Sequence, residues 1–195
     1  MYIKGLVADF AIKSMTCGPA SRINGIIMVD SYLCSVCGKS HEGIPSSWGP
    51  DAPDMWAALP VDGREDRGEV GTDQAVIDES HFYIRGRVEI PVVETGDLFT
   101  WLLWVEVSAN DFLSMSDMWM VDGRESTPAY EGWLANSLTV YPEPTMGLHV
   151  KLHTRPVGQR PFIEIIGEHP LRYEQRNGIS AHRVQSVADL LQCSD

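Results

Sequence analysis

Positive charge is scarce in this chain, and the scarcity narrows the choice of partner. Fifteen Lys and Arg stand against 27 Asp and Glu, for a net charge of -12. Binding to a nucleic-acid backbone needs clustered cations that displace counterions, and adsorption to an anionic membrane needs them too. Neither partner is expected. A basic protein, a peptide or a small ligand is the class the charge leaves open. Long hydrophobic runs are also missing: none approaches 18 residues, so no transmembrane helix is expected. The opening stretch Met1 to Lys13 imitates a signal peptide only loosely, because Asp9 and Lys13 interrupt it. Cysteine is sparse, with four in a chain that is 44% hydrophobic, so a disulfide framework is not called for and a cytoplasmic location is the expectation. Glycine-rich phosphate loops of the dinucleotide or Walker type do not occur. Nor does a serine elbow: Ser47 and Ser137 have nothing beyond their hydroxyls to recommend them as nucleophiles.

Two of the cysteines nevertheless form the most informative run, Cys34-Ser-Val-Cys37-Gly38-Lys-Ser-His41. A Cys-x-x-Cys pair followed by glycine predicts a knuckle, a tight turn in which both thiolates face one tetrahedral zinc ion and Gly38 accepts a positive φ. His41 is within reach as a third ligand. The fourth must come from elsewhere, and His169 is preferred to His81 because it opens a predicted helix. Four protein ligands would make the site structural, whereas an open position would admit water and chemistry. A thioredoxin-like redox role fits less well, since that motif should open a helix after a strand.

Patterning predicts one α+β domain: a mainly antiparallel β-sheet, flanking helices and the N-terminal Cys-x-x-Cys knuckle. Residues 1–27 are poorly patterned and read as an N-terminal extension, Met28 offering an alternative start; residues 28–195 form the domain. Strands are expected at 74–77, from His81 through Ile90, at 99–107, 148–154 and 161–166. The run Phe99-Thr-Trp-Leu-Leu-Trp-Val-Glu-Val107 is apolar on both sides, which marks a buried central strand. Phe112, Met115 and Trp119 recur at helical spacing after Ser108 or Asn110. Two later helices are expected, from Pro170 to Asn177-Gly178 and after Ser180. Asp78, Glu79 and His81 resemble an acid–base cluster but occupy a predicted hairpin turn, where such residues bond to the backbone.

Trp101, Trp104 and Trp119 are core candidates. Trp48, Trp56 and Trp133 lie among prolines and glycines and are candidates for a groove or partner surface, although loop aromatics also cover sheet edges. Arg155, Arg160 and Arg176 have two open readings in so acidic a chain: they anchor a carboxylate or phosphate of a ligand, or they tie loops to buried carboxylates.

From about Tyr32 onward the ordered signposts resemble a bacterial family known as domain of unknown function 2199. They are Cys34-x-x-Cys37-Gly38-x-x-His41-Glu42-Gly43, Asp51-Ala-Pro53, Val76-Ile77-Asp78, Phe82-x-Ile-Arg85-Gly86 and Glu89-Ile90-Pro91. In the second half come Gly132-Trp133-Leu134-x-Asn136, Tyr141-Pro142, Thr154-Arg155-Pro156-Val157-Gly158, Arg160-Pro161, His169-Pro170-Leu171, Glu174-Gln175-Arg176 and Gly178-Ile179-Ser180. The resemblance implies a single domain, adds weight to the cysteine corner and implies no reaction. Together the observations point to a protein- or small-ligand-binding module with a zinc-stabilised corner, in the manner of inhibitors and immunity proteins. A metal-dependent hydrolase or other ligand-modifying enzyme is the alternative, and the expectation leans away from an enzyme. A closed four-ligand site beside exposed Trp48 and Trp56 would favour the module; an open metal in a polar pocket would favour the enzyme.

Overall fold

One long antiparallel pair, His81–Pro91 with Leu98–Val107, carries the architecture, and the rest of the main sheet is built out from it. The computed structural model describes residues 31–34, 37–42 and 46–192, with backbone alone at 31–33, 41–42 and 192. The expected extension over residues 1–27 lies outside the described residues. In chain order the elements are β1 Ser31–Leu33, β2 Ser40–Glu42, β3 Ser47–Trp48, α1 Asp54–Ala57, β4 Gly68–Val70, β5 Gln74–Ile77, β6 His81–Pro91 and β7 Leu98–Val107. There follow α2 Ala109–Asp117, β8 Tyr130–Leu134, β9 His149–His153, β10 Phe162–Ile165, α3 Pro170–Asn177 and α4 Ala181–Gln192.

β6 and β7 pair from Phe82↔Val107 to Pro91↔Leu98. β8, β9 and β10 continue as a meander, each antiparallel to the strand before it. β10 then returns to β6 at Phe162↔Arg87, so β6 to β10 close into a five-strand ring. In a meander with an odd number of strands the first and last run the same way. The closing pair must therefore be parallel, and it is. Gly86 makes the approach possible: a Cβ there would lie 2.7 Å from Ile163 Cγ1 and 3.0 Å from the Pro161 carbonyl oxygen. β5 and β4 extend the sheet from the other half of β6, and β3 runs parallel to β7 at Ser47↔Thr100 and Trp48↔Trp101. The sheet is thus mixed, antiparallel except at these two pairings.

Alternation along the strands sorts two apolar clusters. Ile84, Val88 and Ile90 of β6 meet Trp101, Leu103 and Val105 of β7, Val150 and Leu152 of β9, and Ile163 and Ile165 of β10. Helices close this cluster with Phe112 and Met115 of α2, Leu171 of α3 and Val187 of α4. The opposite face of the same long hairpin buries Tyr83 and Trp104 with Ala75 and Ile77, beneath Met55, Trp56 and Leu59. Burial on both faces is the reason the centre of β7 reads as continuously apolar. Each such side chain removed from water contributes about 1.5–3 kcal/mol, so this hairpin dominates the core.

The helix signals act as their residue types dictate. Ser108 Oγ accepts the Asp111 N–H at 3.1 Å at the start of α2, and Ser180 Oγ accepts the Arg183 N–H at 3.1 Å at the start of α4. Pro170 occupies the first turn of α3, and Gly178 follows its end at φ +80°. The 78–80 turn joins β5 to β6 with Asp78 and Glu79 both left-handed, at φ 52° and 53°. Arg67 grips Asp78 with two hydrogen bonds, 2.8 and 2.5 Å, and holds its carboxyl below the usual range. Among the described residues no helix is long and apolar enough to cross a membrane.

Candidate ligand site

Three features bear on function: a cavity at the β3–β7 edge, a group of arginines around the ring closure, and the cysteine hairpin. The cavity follows from how tightly β3 is laid down. A Cβ on Gly49 would fall 1.9 Å from the Leu102 carbonyl oxygen, so only glycine lets the chain cross β7 there. This crossing places Trp48 and Pro50 at the rim of a cavity of about 260 Å³. Trp101, buried in β7, and Leu191 of α4 form further walls, and the segment Ser137–Val140 completes it. That segment is fixed from beneath. The Leu138 N–H donates to Thr145 Oγ1 and the Thr145 hydroxyl donates to the Asn136 carbonyl, both at 2.8 Å.

Asn136, wholly buried, is the keystone of the neighbouring loop. Its Oδ1 accepts the Trp104 N–H at 2.8 Å, while Nδ2 donates to the Ala52 carbonyl at 3.0 Å and to Asp54 Oδ1 at 2.9 Å. Behind the cavity, Tyr141 donates its phenol to Glu174, whose other oxygen accepts Arg183 Nε at 2.8 Å. Burial, reinforced by the Glu174 charge, holds the phenol well above its ordinary pKa, so Tyr141 stays neutral. Among the described residues the cavity wall carries no carboxylate, imidazole or thiol. Its chemistry is aromatic and aliphatic surface with the hydroxyls of Ser137 and Thr139.

The three surface tryptophans are distributed rather than gathered. Trp48 rims the cavity. Trp56 packs on the opposite face of the sheet with Arg64 stacked 5.2 Å above its ring. Trp133, 51% exposed, stands on the outer face of β8 beside His149. Of the arginines, Arg155 donates to both oxygens of Glu89 at 2.8 and 2.7 Å, and Arg160 pairs with buried Asp73. These two tie the β9–β10 loop to inward carboxylates. The Arg155 hydrogen bonds hold Glu89 below the usual carboxylate range, against the opposing effect of burial. Arg176 is exposed in the last turn of α3.

Arg124 was not legible as a site residue, because it sits in a Gly-Arg-Glu-Ser stretch that looks solvated. It is 2% exposed, lies 5.0 Å over the Trp119 ring, and donates to the carbonyls of Trp119, Arg155, Pro156 and Gln159 at 2.6–3.3 Å. Desolvation holds its guanidinium below the ordinary pKa.

The cysteines lie at the connection between β1 and β2, which pair through Tyr32↔His41. Cys34 is buried and Cys37 exposed. The Cys37 N–H reaches Cys34 Sγ at 3.5 Å, the Gly38 N–H donates to the Cys34 carbonyl at 3.0 Å, and Gly38 has φ +68°. The hairpin returns the chain so that His41 follows on β2; its side chain lies outside the described residues. His169 is engaged elsewhere. Its Nδ1 accepts the Leu171 N–H at 3.0 Å as the cap of α3, and Nε2 faces the Glu143 carbonyl at 3.2 Å. His81 pairs with Glu106 at 2.7 Å. Among the described residues no three His, Cys, Asp or Glu side chains gather as a metal would require.

Residues 33–179 match the family described as an uncharacterized protein conserved in bacteria, DUF2199. The chain belongs to that family. The DUF2199 region takes in Cys34 and Cys37, the whole ring and Arg124, Arg155, Arg160 and Arg176, and ends just past α3, so α4 and its Leu191 wall lie beyond it. No curated protein and no solved structure matches the chain.

Proposed function

We infer that this DUF2199 domain is a small-molecule-binding module, with the cavity between Trp48, Trp101 and the 137–140 segment as its site. The observation that carries the reading is the lining: two indoles and aliphatic side chains around about 260 Å³, without a titratable group among the described residues. That volume is close to the lower end of small-molecule pockets, so the ligand is small. Uncharged walls select a neutral, flat molecule that stacks on indole, with one polar atom for Ser137 or Thr139. Among the described residues the lining offers hydroxyls but no acid or base to activate them, which supports binding over turnover.

Indole is a suitable probe. Titration into the isotope-labelled protein should shift the Trp48 and Trp101 side-chain N–H resonances saturably. A Thr139→Trp variant, which fills the cavity from its exposed rim, should abolish the shifts. Shifts that persist in this variant, or that never saturate, would remove the site.

The reading includes a zinc ion at the cysteine hairpin. The fit is partial: Cys34 and Cys37 supply two thiolates on a suitable turn, whereas a closed tetrahedral site takes four ligands. His41 supplies the third in this reading, and His169 is the candidate for the fourth through Nε2, its Nδ1 being taken by the cap of α3. Elemental analysis of protein purified under reducing conditions without chelator, beside Cys34→Ser/Cys37→Ser, decides it. Near one equivalent of zinc in the parent and none in the variant is expected; equal, near-zero content in both ends the proposal.

A further inference from the structure

Four arginines meet where β10 closes on β6. Arg85 and Arg87 are alternate residues of β6, projecting from one face roughly 7 Å apart. Arg155 and Arg160 come from the two ends of the β9–β10 connection. Shared acidic residues draw them together. Glu89 is held by Arg155 and lies 3.2 Å from Arg87 Nε, while Asp73 pairs with Arg160 through its side chain and accepts the Arg85 amide at 2.8 Å through its carbonyl. Glu89 and Asp73 offset two of the four charges. Asp51, fully exposed and 3.9 Å from Arg85 Nη2, offsets at most one more. A net positive centre therefore persists on a chain of net charge -12.

Two observations set this cluster apart from ordinary surface ion pairs. Buried donor capacity is left over among the described residues: Arg85 Nε, in a residue only 9% exposed, has no partner, and Arg87 Nε lies off the hydrogen-bond direction of Glu89. Buried polar atoms are nearly always satisfied, so two unpaired guanidinium N–H groups on neighbouring positions of one strand face suit an acceptor from a bound group. In addition, Arg124 spends its desolvated guanidinium on the carbonyls of Arg155, Pro156 and Gln159, which fixes the loop whose ends are two of the four arginines. Burying a guanidinium without a carboxylate is a costly way to hold a surface loop.

We propose that this cluster binds an oxyanion, the phosphate or carboxylate group of a ligand, with Arg87 as the principal contact and Arg155 and Arg160 flanking it. Guanidinium forks match such groups in pairs of parallel hydrogen bonds. Arg87 is the most open of the four, its side chain 39% exposed and its link to Thr100 Oγ1 a long 3.4 Å. Burial and then the neighbouring Arg160 charge hold Arg85 below the usual guanidinium range, a repulsion that an anion relieves. The site is independent of the cavity, which none of these four arginines lines.

The test titrates the full chain with inorganic phosphate and, separately, citrate, at an ionic strength held constant with potassium chloride. Calorimetry and the thermal midpoint are the readouts. Saturable binding and a midpoint rise beyond that in chloride are expected. Arg87→Gln should weaken binding by about tenfold or more, the loss of one charge-assisted hydrogen bond. Arg87→Lys should fall between, and it supplies the readout if Arg87→Gln does not fold. Arg176→Gln, which removes the same charge from exposed α3, should leave binding unchanged. A response to phosphate alone assigns a phosphoryl ligand, to citrate alone a carboxylate, and to both the shared chemistry. No response beyond chloride, or an equal response in the Arg87 variants, overturns the proposal.

Discussion

Replacing Asn136 with alanine should cost this domain much of its stability, and the size of the loss can be worked out bond by bond. The amide makes three hydrogen bonds in a wholly buried setting: from the Trp104 N–H, to the Ala52 carbonyl and to the Asp54 carboxylate. The first two are ordinary pairs at about 0.5–1.5 kcal/mol each, and the third, to a charged group, is about 1.5–3 kcal/mol. Asn136→Ala should therefore destabilise by about 2.5–6 kcal/mol, a large share of the 5–15 kcal/mol typical of a whole domain. Urea denaturation followed by circular dichroism measures it, provided the slope stays constant while the midpoint falls. Asn136→Asp is the sharper probe, because it keeps the volume but sets a second carboxylate against Asp54. The new carboxyl is buried beside a negative charge, so its folded-state pKa is raised. Protonation then favours the folded form, and stability should be best in acid and decline as pH rises past the unfolded value of about 3.9. A loss under 1 kcal/mol in the alanine variant, or a pH profile for Asn136→Asp that parallels the parent, would refute the latch.

Further outcomes follow from the same geometry. Gly86→Ala should destabilise by about 1–3 kcal/mol through overpacking against Ile163 and Pro161, and a double-mutant cycle with Ile163→Ala should show the two losses to be less than additive; additivity would place the clash elsewhere. Glu89 has a folded-state pKa lowered chiefly by Arg155, so its contribution is complete above its unfolded pKa and is lost as pH falls through the folded value. Glu89→Gln should accordingly flatten the acid limb of the stability profile below about pH 4.5, and an unaltered limb would contradict this. Glu79→Gly should stabilise by about 0.5–1 kcal/mol, since a left-handed side-chain residue costs about 1–2 kcal/mol and glycine returns part of that as chain entropy; a lower thermal midpoint would count against the turn geometry.

The parts of the fold that were legible in the sequence are those whose cause is local. β7 declared itself because nearly every residue from Phe99 to Val107 is aromatic, aliphatic or β-branched. The helices over 109–117, 170–177 and 181–192 declared themselves because Ser108, Pro170 and Ser180 open them and Gly178 follows α3. β8 was missed: Gly132 weakens its strand pattern, and long connections rather than tight turns separate it from its partners β7 and β9. β1 and β2 were hidden by the cysteines between them. Closure of the ring could not be read at all, since it rests on Phe162 meeting Arg87 across a long stretch of chain. The arginines were legible as a class but not in role. Acidity suggested that Arg155 and Arg160 mattered, yet only the fold pairs them with Glu89 and Asp73 and brings Arg85 and Arg87 beside them. His169 carried a signal with two meanings, because the residue ahead of a proline-led helix is well placed as a ligand and equally well placed as a cap. The cap is what the backbone uses.

Closing an odd-numbered ring has a kinetic corollary. The antiparallel neighbours can zip outward from their connecting turns or loops, with little chain entropy lost at each step. The parallel seam has no such turn, and must wait until Phe162 has been carried back to Arg87 by the three strands between them. Loop-closure cost and contact order place that event late in folding. The same asymmetry acts in the native state. The Arg87 amide, donated to Pro161 at 2.9 Å across the seam, should exchange its hydrogen sooner than the amides along the β6–β7 hairpin. The ring has a weakest point, and its strand order determines where.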